Sequence, residues 1–403
     1  MKRDQMKKFR STVDPDAIRA GRNTDVYFLR TKTILEKKRI DKKVAAEVRS
    51  QFLPTDWDWS VFTGIEEVIS LLEGIPVNLY GLNEGTIFQA GVPVLVLEGR
   101  YLDFCIHETS LLGMICQATG IATKASRLRR VAGTKTLVSF GARKMHPSIT
   151  LLIDRNAYIG GFDGVSSVIS AESLGIDPVG TMPHALVLLI GDTLKAAQHF
   201  HEVMPKSVGR VVLVDTFGDE KFESLRVAET LGKRLLAVRL DTPKSRRGSF
   251  LEICKEVRWE LDLRGFQDVK IFATGGIDEK HIQELVEVAD AFGVGSSLSN
   301  APSVDFSFDL VEIEGKPVSK KGKWSGRKKV YRCNRCFKTV VVPSGNKTPR
   351  CPGCKGKTIP LLVQHLKNGK RVSKPKSPNQ VRNFVLDQLR KLPDRHGKEE
   401  ETI

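Results

Sequence analysis

The sequence lacks any apolar run long enough to cross a bilayer, although 40% of its 403 residues are hydrophobic, as is typical of a globular protein. The charged opening Met1-Lys-Arg-Asp-Gln is not followed by the apolar stretch of a secretory signal. We therefore expect a cytoplasmic protein that has no membrane partner.

The cysteines do not have the number or spacing of a disulfide framework. Cys105, Cys116 and Cys254 lie in apolar stretches and are expected to be buried free thiols. The other four form two close pairs, Cys333-x2-Cys336 and Cys351-x2-Cys354, separated by 14 residues. This spacing predicts a tetrahedral Zn²⁺ site, with iron as a minor alternative, and the zinc is structural because thiolates fill all four positions.

The net charge of +17 comes entirely from the last part of the chain. Residues 311–403 contain 24 Lys/Arg and 7 Asp/Glu, whereas residues 1–310 contain 40 of each. Such a segment indicates either contact with a polyanion, nucleic acid above all, or a solvated tail. Few aromatic residues accompany the cations and the body is neutral, so a nucleic acid partner is possible but not favoured.

The hydrophobic pattern indicates an α/β protein with a small C-terminal module. Short β-like runs over residues 77–97 predict antiparallel strands in an N-terminal α/β domain, residues 1–110, and helical periods cover residues 33–51 and 107–128. Within residues 111–310, β-branched runs alternate with helical patterns, which predicts a parallel sheet that is closed as a barrel or open and doubly wound. The strands of that sheet are predicted at Thr136–Phe140, Pro178–Met182, Arg210–Val214, Arg234–Leu240, Val269–Ala273 and Ala289–Val294. After this domain we expect a zinc-ribbon module, residues 311–365, and a basic tail, residues 366–403.

Each predicted strand runs into a loop rich in Gly, Asp, Thr or Arg. In a parallel α/β barrel these loops meet at the carboxyl ends of the strands, where barrel enzymes place their active sites. The last two loops offer backbone N–H groups to a sugar phosphate, and the candidates are Gly275, Gly276, Gly293, Gly295 and Ser296.

Charged side chains in the other loops are candidate ligands for phosphate and metal. Asp215 and Asp241 each end a strand, where a carboxylate can hold a ribose hydroxyl or Mg²⁺. His184 is either a structural or a catalytic histidine. Cations that suit a carboxylate, a phosphate or a pyrophosphate are Arg143, Lys144, Arg246 and Arg247.

These loops, in this order, resemble the nicotinate phosphoribosyltransferase family over roughly residues 10–310. No single motif is diagnostic, and the resemblance lies in their order and spacing. The matching segments are Thr24-Asp-Val-Tyr27, Ser139-Phe-Gly-Ala-Arg143, Gly161-Phe-Asp-Gly164, Gly180-Thr-Met-Pro-His184, Asp215-Thr-Phe-Gly218, Arg239-Leu-Asp241, Thr274-Gly-Gly276 and Phe292-Gly-Val-Gly295.

The resemblance implies a type II phosphoribosyltransferase fold, with an N-terminal α/β domain, an irregular α/β barrel and an active site at the interface of a homodimer or higher homo-oligomer. It implies nicotinate and phosphoribosyl pyrophosphate as substrates, Mg²⁺ as cofactor and ATP as a co-substrate. In the implied site, Phe140 and Tyr27 of the partner subunit sandwich the pyridine ring, and Arg143 reaches the ring carboxylate or the phosphate. Asp241 holds the ribose, and His184 is the residue that ATP phosphorylates. Further substrate-binding candidates are Lys144, Asp163, Asp215, Arg239 and Thr242.

Two departures from the family pattern concern the charges of the site. Arg239-Leu-Asp-Thr-Pro-Lys244 stands where many members have Arg-Leu-Asp-Ser-Gly-Asp, so a second acid is missing, and the segment looks like the archaeal branch. Lys144 replaces an arginine, which keeps the charge but loses the bidentate fork. Quinolinate would need more cations around the ring and nicotinamide none, so Arg143 favours nicotinate without excluding either. The alternative from another class is a nucleic-acid-binding zinc-ribbon protein.

Overall fold

The chain divides into two units in a computed structural model, which describes residues 12–246 and 248–392. One unit is Lys124–Ala301, and the other combines Met1–Thr123 with Pro302–Ile403. The expected order of four consecutive domains, with boundaries at residues 110, 310 and 365, differs from this division. The difference arises because strands far apart in sequence pair in one sheet, which the local hydrophobic pattern does not reveal.

Short apolar and β-branched runs form the strands, and none of the described helices is long and apolar enough to cross a membrane. The strands are β1 (Lys43–Arg49), β2 (Ser60–Val61), β3 (Asn78–Leu82), β4 (Ile87–Phe88), β5 (Pro93–Arg100), β6 (Thr136–Ser139), β7 (Gly164–Val165), β8 (Arg210–Leu213), β9 (Leu235–Leu240), β10 (Lys270–Ala273), β11 (Ala291–Val294), β12 (Ser307–Ile313), β13 (Lys316–Pro317), β14 (Lys328–Cys333), β15 (Thr339–Pro343), β16 (Thr358–Pro360), β17 (Leu362–Lys367) and β18 (Lys370–Arg371). The helices are α1 (Pro15–Arg19), α2 (Val26–Lys37), α3 (Ile65–Leu72), α4 (Tyr101–Phe104), α5 (Glu108–Ala132), α6 (Thr150–Ile159), α7 (Val168–Leu174), α8 (His184–Ile190), α9 (Thr193–Val203), α10 (Glu220–Leu231), α11 (Phe250–Leu263), α12 (Glu279–Leu285), α13 (Ser296–Ser299) and α14 (Pro378–Leu389).

A seven-stranded antiparallel sheet, in the order β13-β12-β1-β5-β3-β17-β18, forms the framework of the unit that contains both ends of the chain. Four of its strands, β12, β13, β17 and β18, come from residues 307–371 in the C-terminal part of the chain. Its core includes apolar side chains of the sheet and of α3, among them Ile65, Ile69, Leu72, Leu79 and Leu97. A three-stranded sheet, β15-β14-β16, belongs to the same unit and holds the predicted ribbon.

Six parallel strands, in the order β7-β6-β11-β10-β9-β8, form the sheet of the unit Lys124–Ala301. The edge strands β7 and β8 do not pair with each other in the described part of the chain, so the predicted α/β barrel is an incomplete, half-barrel sheet. Side-chain caps fix where the crossover helices begin, because Asp219, Ser249 and Asp278 accept backbone N–H groups at the starts of α10, α11 and α12.

Two local expectations were wrong. Residues 33–51 do not form one helix, because α2 ends at Lys37 and a strand begins at Lys43. Pairing with strands on both sides overrides the helical period of the charges there. Residues 178–182 are not a strand, and the last place in the sheet is taken by β7. Pro178 and Pro183 lack backbone donors, which disfavours a ladder in this segment.

Candidate active site

The carboxyl ends of β9 and β10 bring an arginine, an aspartate and a threonine together. The Arg239 guanidinium donates to Thr274 Oγ1 at 3.0 Å, to Asp241 Oδ2 at 3.1 Å and to Thr181 Oγ1 at 2.8 Å. Thr274 in turn donates to Asp241 Oδ1 at 2.7 Å. Burial lowers the pKa of Arg239, and the carboxylates of Asp241 and Asp215 oppose that shift. The Asp241 carboxylate is therefore held in one orientation by two donors.

An aromatic floor lies beside this network. Phe140 follows β6, and its ring centroid lies 5.8 Å from that of Phe272 and 5.4 Å from the Arg239 guanidinium carbon. A Cβ on Gly293 would lie 2.5 Å from a Phe140 ring carbon and 2.7 Å from Thr274 Cγ2. Only glycine at this position of β11 leaves room for the ring. Gly293, which is predicted to bind phosphate, thus determines where the Phe140 ring can lie.

The two glycine loops face lysine side chains. Gly275 has φ +86°, and a Cβ there would lie 3.0 Å from Asp241 Oδ1. The Cε atoms of Lys244 and Lys144 lie 3.8 Å from the Cβ positions of Gly276 and Gly295. Backbone N–H groups that are close to mobile ammonium groups suit an anion such as a phosphate.

Two cavities share Phe140, Arg143 and Arg239 in their walls. The smaller has a volume of about 120 Å³ and contains all five predicted phosphate-binding residues; its lining is Phe140, Arg143, Lys144, Arg239, Asp241, Thr274, Gly275, Gly276, Gly293, Gly295 and Ser296. The larger has a volume of about 330 Å³ and is lined by Phe140, Ala142, Arg143, Ser166, Ser167, Gly180, Thr181, Met182, Pro183 and Arg239. A cationic and aromatic wall thus separates a glycine-lined pocket from a wider one.

His184 begins α8 between two carboxylates. Its Nδ1 lies 3.0 Å from Thr216 Oγ1, and its Nε2 lies 3.7 Å from Asp241 Oδ2 and 3.8 Å from Asp215 Oδ2. The Asp215 side chain is 1% exposed, and neither of its oxygens has a hydrogen-bond partner among the described residues. Burial raises the pKa of Asp215 and the negative Asp241 adds to this, while His184 acts in the opposite direction.

The remaining predicted site residues are less central. Thr242 donates its hydroxyl to Glu220, and Arg246 is exposed in the short turn after β9. Arg247 lies outside the described residues. Tyr27 lies on α2, in the other unit, and its side chain is 56% exposed.

Asp163 is not brought to the carboxyl ends of the strands. It precedes β7, accepts a hydrogen bond from Leu137 N at 2.9 Å and forms an ion pair with Arg129 at 2.5 Å. Both contacts lie at the amino end of the sheet, and Asp163 is not among the residues that line the two cavities. Sequence reasoning also missed Thr181 and Thr216, which hold Arg239 and His184. Thr181 lies in the segment Gly180-Thr-Met-Pro-His184, in which the histidine is the predicted site residue.

The four cysteines of the two pairs form a metal-capable cluster. Their Sγ atoms all lie within 4.8 Å of one another. Phe337 and Lys355, which follow the second cysteine of each pair, both have a positive φ, and their N–H groups donate to the carbonyls of Cys333 and Cys351. The two loops are thus equivalent turns that direct four thiols at one point. The residues fit a tetrahedral metal ion with sulfur ligands.

Comparison with known proteins agrees with this arrangement. Residues 25–119 match the family model for the N-terminal domain of quinolinate phosphoribosyl transferase, and residues 121–309 match that for its C-terminal domain. A nicotinate phosphoribosyltransferase of Mycobacterium tuberculosis is 30% identical over 81% of this chain and 72% of its own length. That of Bacillus subtilis is 29% identical over 77% and 72%.

Solved structures show the same fold. A nicotinate-nucleotide pyrophosphorylase from Pyrococcus furiosus has a TM-score of 0.93 and 54% identity, with 96% of this chain and 99% of that chain covered. Human nicotinic acid phosphoribosyltransferase has a TM-score of 0.76 at 19% identity, with 93% and 95% covered, which supports the fold alone. The chain therefore belongs to the nicotinate phosphoribosyltransferase family, a family of phosphoribosyltransferase enzymes.

Proposed function

We propose that this protein joins nicotinate to phosphoribosyl pyrophosphate in NAD salvage, and so forms nicotinate mononucleotide and pyrophosphate. The observation that supports this most directly is the network of Arg239, Asp241 and Thr274, which lies between an aromatic floor and a glycine-lined pocket. A base, a ribose and a phosphate need these three environments side by side. The family relationship supports the same chemistry.

The substrate groups can be assigned to the parts of the site. The 5′-phosphate fits the loops that contain Gly275, Gly276, Gly295 and Ser296, and the ribose hydroxyls fit Asp241. The pyridine ring would lie on Phe140, with its carboxylate directed to Arg143 or Arg239. In the proposed homodimer, the partner subunit's Tyr27 covers the other face of the ring.

The reaction needs positioning and charge stabilisation more than covalent help from the protein. The pyridine nitrogen attacks the anomeric carbon, the bond to the pyrophosphate oxygen breaks, and negative charge develops on the leaving group. Lys144 and Lys244 lie near the glycine loops and would neutralise the charge of the 5′-phosphate that binds there. The orphaned carboxylate of Asp215 and the nearby Asp241 fit Mg²⁺, which when bound would neutralise part of the pyrophosphate.

ATP coupling would use His184. Its Nδ1 contacts Thr216, which leaves Nε2 as the nitrogen that could accept the γ-phosphoryl group of ATP, with ADP as the product. The family resemblance is the basis of this step, and Zn²⁺ in the four-cysteine cluster is proposed as a structural ion.

The test is product formation from phosphoribosyl pyrophosphate and Mg²⁺ with nicotinate, nicotinamide or quinolinate, each with and without ATP. Nicotinate alone should be turned over, and ATP should stimulate the reaction. Asp241→Asn should lower kcat/KM by about 100-fold or more, since it removes a charge held at the reacting sugar. Asp268→Asn, an exposed change in the same unit, is the matched control.

Turnover of quinolinate or nicotinamide instead would refute the choice of base. If His184→Ala retained full stimulation by ATP, the proposed phosphorylation would be wrong. If Asp241→Asn and the control were equally active, the proposed active site would be wrong.

A further inference from the structure

The C-terminal segment contains a long stretch without acidic residues. Between Glu314 and Asp387 there are 20 Lys/Arg and no Asp or Glu. The 40 basic and 40 acidic residues before position 311 show that the rest of the chain does not share this bias. The stretch includes the whole of the four-cysteine ribbon.

Cations of this stretch that pack on the seven-stranded sheet find carboxylates there. Lys320 and Lys323 contact Asp309 at 2.7 and 3.0 Å, and Lys328 contacts Glu47 at 2.8 Å. Ion pairs are also formed by Arg327 with Glu98 and Glu312, and by Arg371 with Glu66. These partners account for part of the positive charge of the segments that flank the two cysteine turns, and Lys316, Lys321, Lys367, Lys370, Lys374 and Lys376 remain exposed there.

Besides Lys329 and Lys347, five exposed cations near the cysteine turns of the ribbon have no such partner in the described part of the chain. We call them the ribbon surface: Arg335, Lys338, Arg350, Lys355 and Lys357, all of which are exposed.

The ribbon surface is contiguous. The Cβ of Arg335 lies 3.5 Å from the Cβ position of Gly356, and the Cδ of Lys338 lies 3.7 Å from that of Gly353. Arg350 donates to the carbonyl of Lys355 at 3.5 Å, and Asn334 donates to that of Lys357 at 3.2 Å. All five cations therefore surround the two turns that hold the cysteines.

Packing like charges on one small module is unfavourable unless something compensates for it. A bound Zn²⁺ with four thiolates would be a doubly negative centre, which offsets part of the charge but not all five cations. An extended polyanion would compensate for the rest. The turns expose few aromatic side chains, so contacts to phosphates are favoured over stacking on bases.

We infer that the ribbon surface binds the sugar–phosphate backbone of nucleic acid. This binding does not depend on the nucleotide sequence and is a function distinct from the transferase reaction. A small phosphorylated metabolite would need a concave pocket, whereas these cations project from exposed turns. The surface fits several successive phosphates of one strand. RNA and DNA share this chemistry, and the experiment separates them.

The experiment measures binding of the full chain to fluorescent 20-nucleotide RNA and DNA, single- and double-stranded, over a range of salt concentrations. With four phosphate contacts, affinity for a single strand should fall about 50-fold between 50 and 200 mM salt. The variant Arg335→Gln, Lys338→Gln, Lys355→Gln, Lys357→Gln should lose most of both the affinity and the salt dependence. The control replaces Lys195, Lys206, Lys233 and Lys270 by Gln, an equal loss of charge from exposed positions of the other unit.

Metal content and transferase activity are measured on every variant. Retained metal and activity together with weakened binding to any of the four nucleic acids supports the inference. Equal weakening by the two quadruple variants would show a nonspecific effect of net charge and overturn it. Loss of metal from the ribbon variant would also overturn the inference, because the cations would then be needed to stabilise the thiolates. Binding of the wild type to anionic phospholipid vesicles, but not to nucleic acid, would overturn it as well.

Discussion

Replacement of Asp215 by asparagine should stabilise the substrate-free protein while it damages the reaction. The Asp215 carboxylate is buried, and neither oxygen has a hydrogen-bond partner among the described residues. An ionised group in such a place costs folding free energy, which His184 Nε2 at 3.8 Å offsets only in part. The asparagine has nearly the same shape and carries no charge.

The expected gain follows from the cost of a buried unsatisfied group, about 1–3 kcal/mol. For a unit of this size each kcal/mol corresponds to roughly 2–4 °C in Tm. Because burial raises the pKa of Asp215 in the folded protein, the destabilisation is fully present above that raised pKa and is lost as pH falls from there to the ordinary pKa of the unfolded chain. The advantage of the variant should therefore be largest at neutral to high pH and shrink as pH is lowered.

The assay is thermal unfolding of wild type, Asp215→Asn and Asp163→Asn without substrates or Mg²⁺, at several pH values. Asp163 is the matched control, since its carboxylate is paired with Arg129 and Leu137 N at the opposite end of the same sheet. Its replacement should lower stability by about 1 kcal/mol, a small effect because the side chain is partly exposed. If Asp215→Asn also lowered Tm at neutral pH, Asp215 would have stabilising partners and the reasoning would be refuted.

Three further changes test other parts of the structure. Gly293→Ala should push the Phe140 ring aside and lower unfolding free energy by about 1–3 kcal/mol, and the displaced ring should lower kcat/KM for the pyridine by about 10-fold; normal kinetics would show that the ring position is not critical. Arg239→Lys keeps the charge but loses the fork that reaches three partners, so kcat/KM should fall about 10-fold or more, and an unchanged value would contradict that role. Cys351→Ser should abolish binding of the proposed zinc, measured by elemental analysis, and lower unfolding free energy by more than about 4 kcal/mol; full metal retention would contradict the four-cysteine site.

The parts of the site that follow from local sequence could be predicted. Phe140, Asp241 and the glycines come directly after or within strands whose β-branched runs are recognisable, and parallel strands place such residues at one edge of a sheet. The four-cysteine ribbon could also be predicted, because the spacing of its two cysteine pairs by itself indicates a metal site.

The failures have physical causes too. Asp163 belongs to a family motif, but it comes before its strand and so lies at the amino end of the sheet. The segment 178–182 has strand-like residues but begins with Pro178 and is followed by Pro183, and these two prolines disfavour a ladder. The strands that pair with β12 and β17 could not be predicted. Each pair joins strands more than 250 residues apart, and the hydrophobic pattern of a strand does not indicate which distant strand it pairs with.

The sheet pairing also bears on how the protein can be made. When residue 301 has left the ribosome, Lys124–Ala301 is complete and can fold on its own contacts, whereas the seven-stranded sheet has only β1, β3 and β5. The outer edges of β1 and β3 have to remain unpaired during translation until β12 and β17 arrive on both flanks. The first residues to be synthesised thus belong to the last unit to be finished, and their exposed strand edges are where aggregation during synthesis would begin.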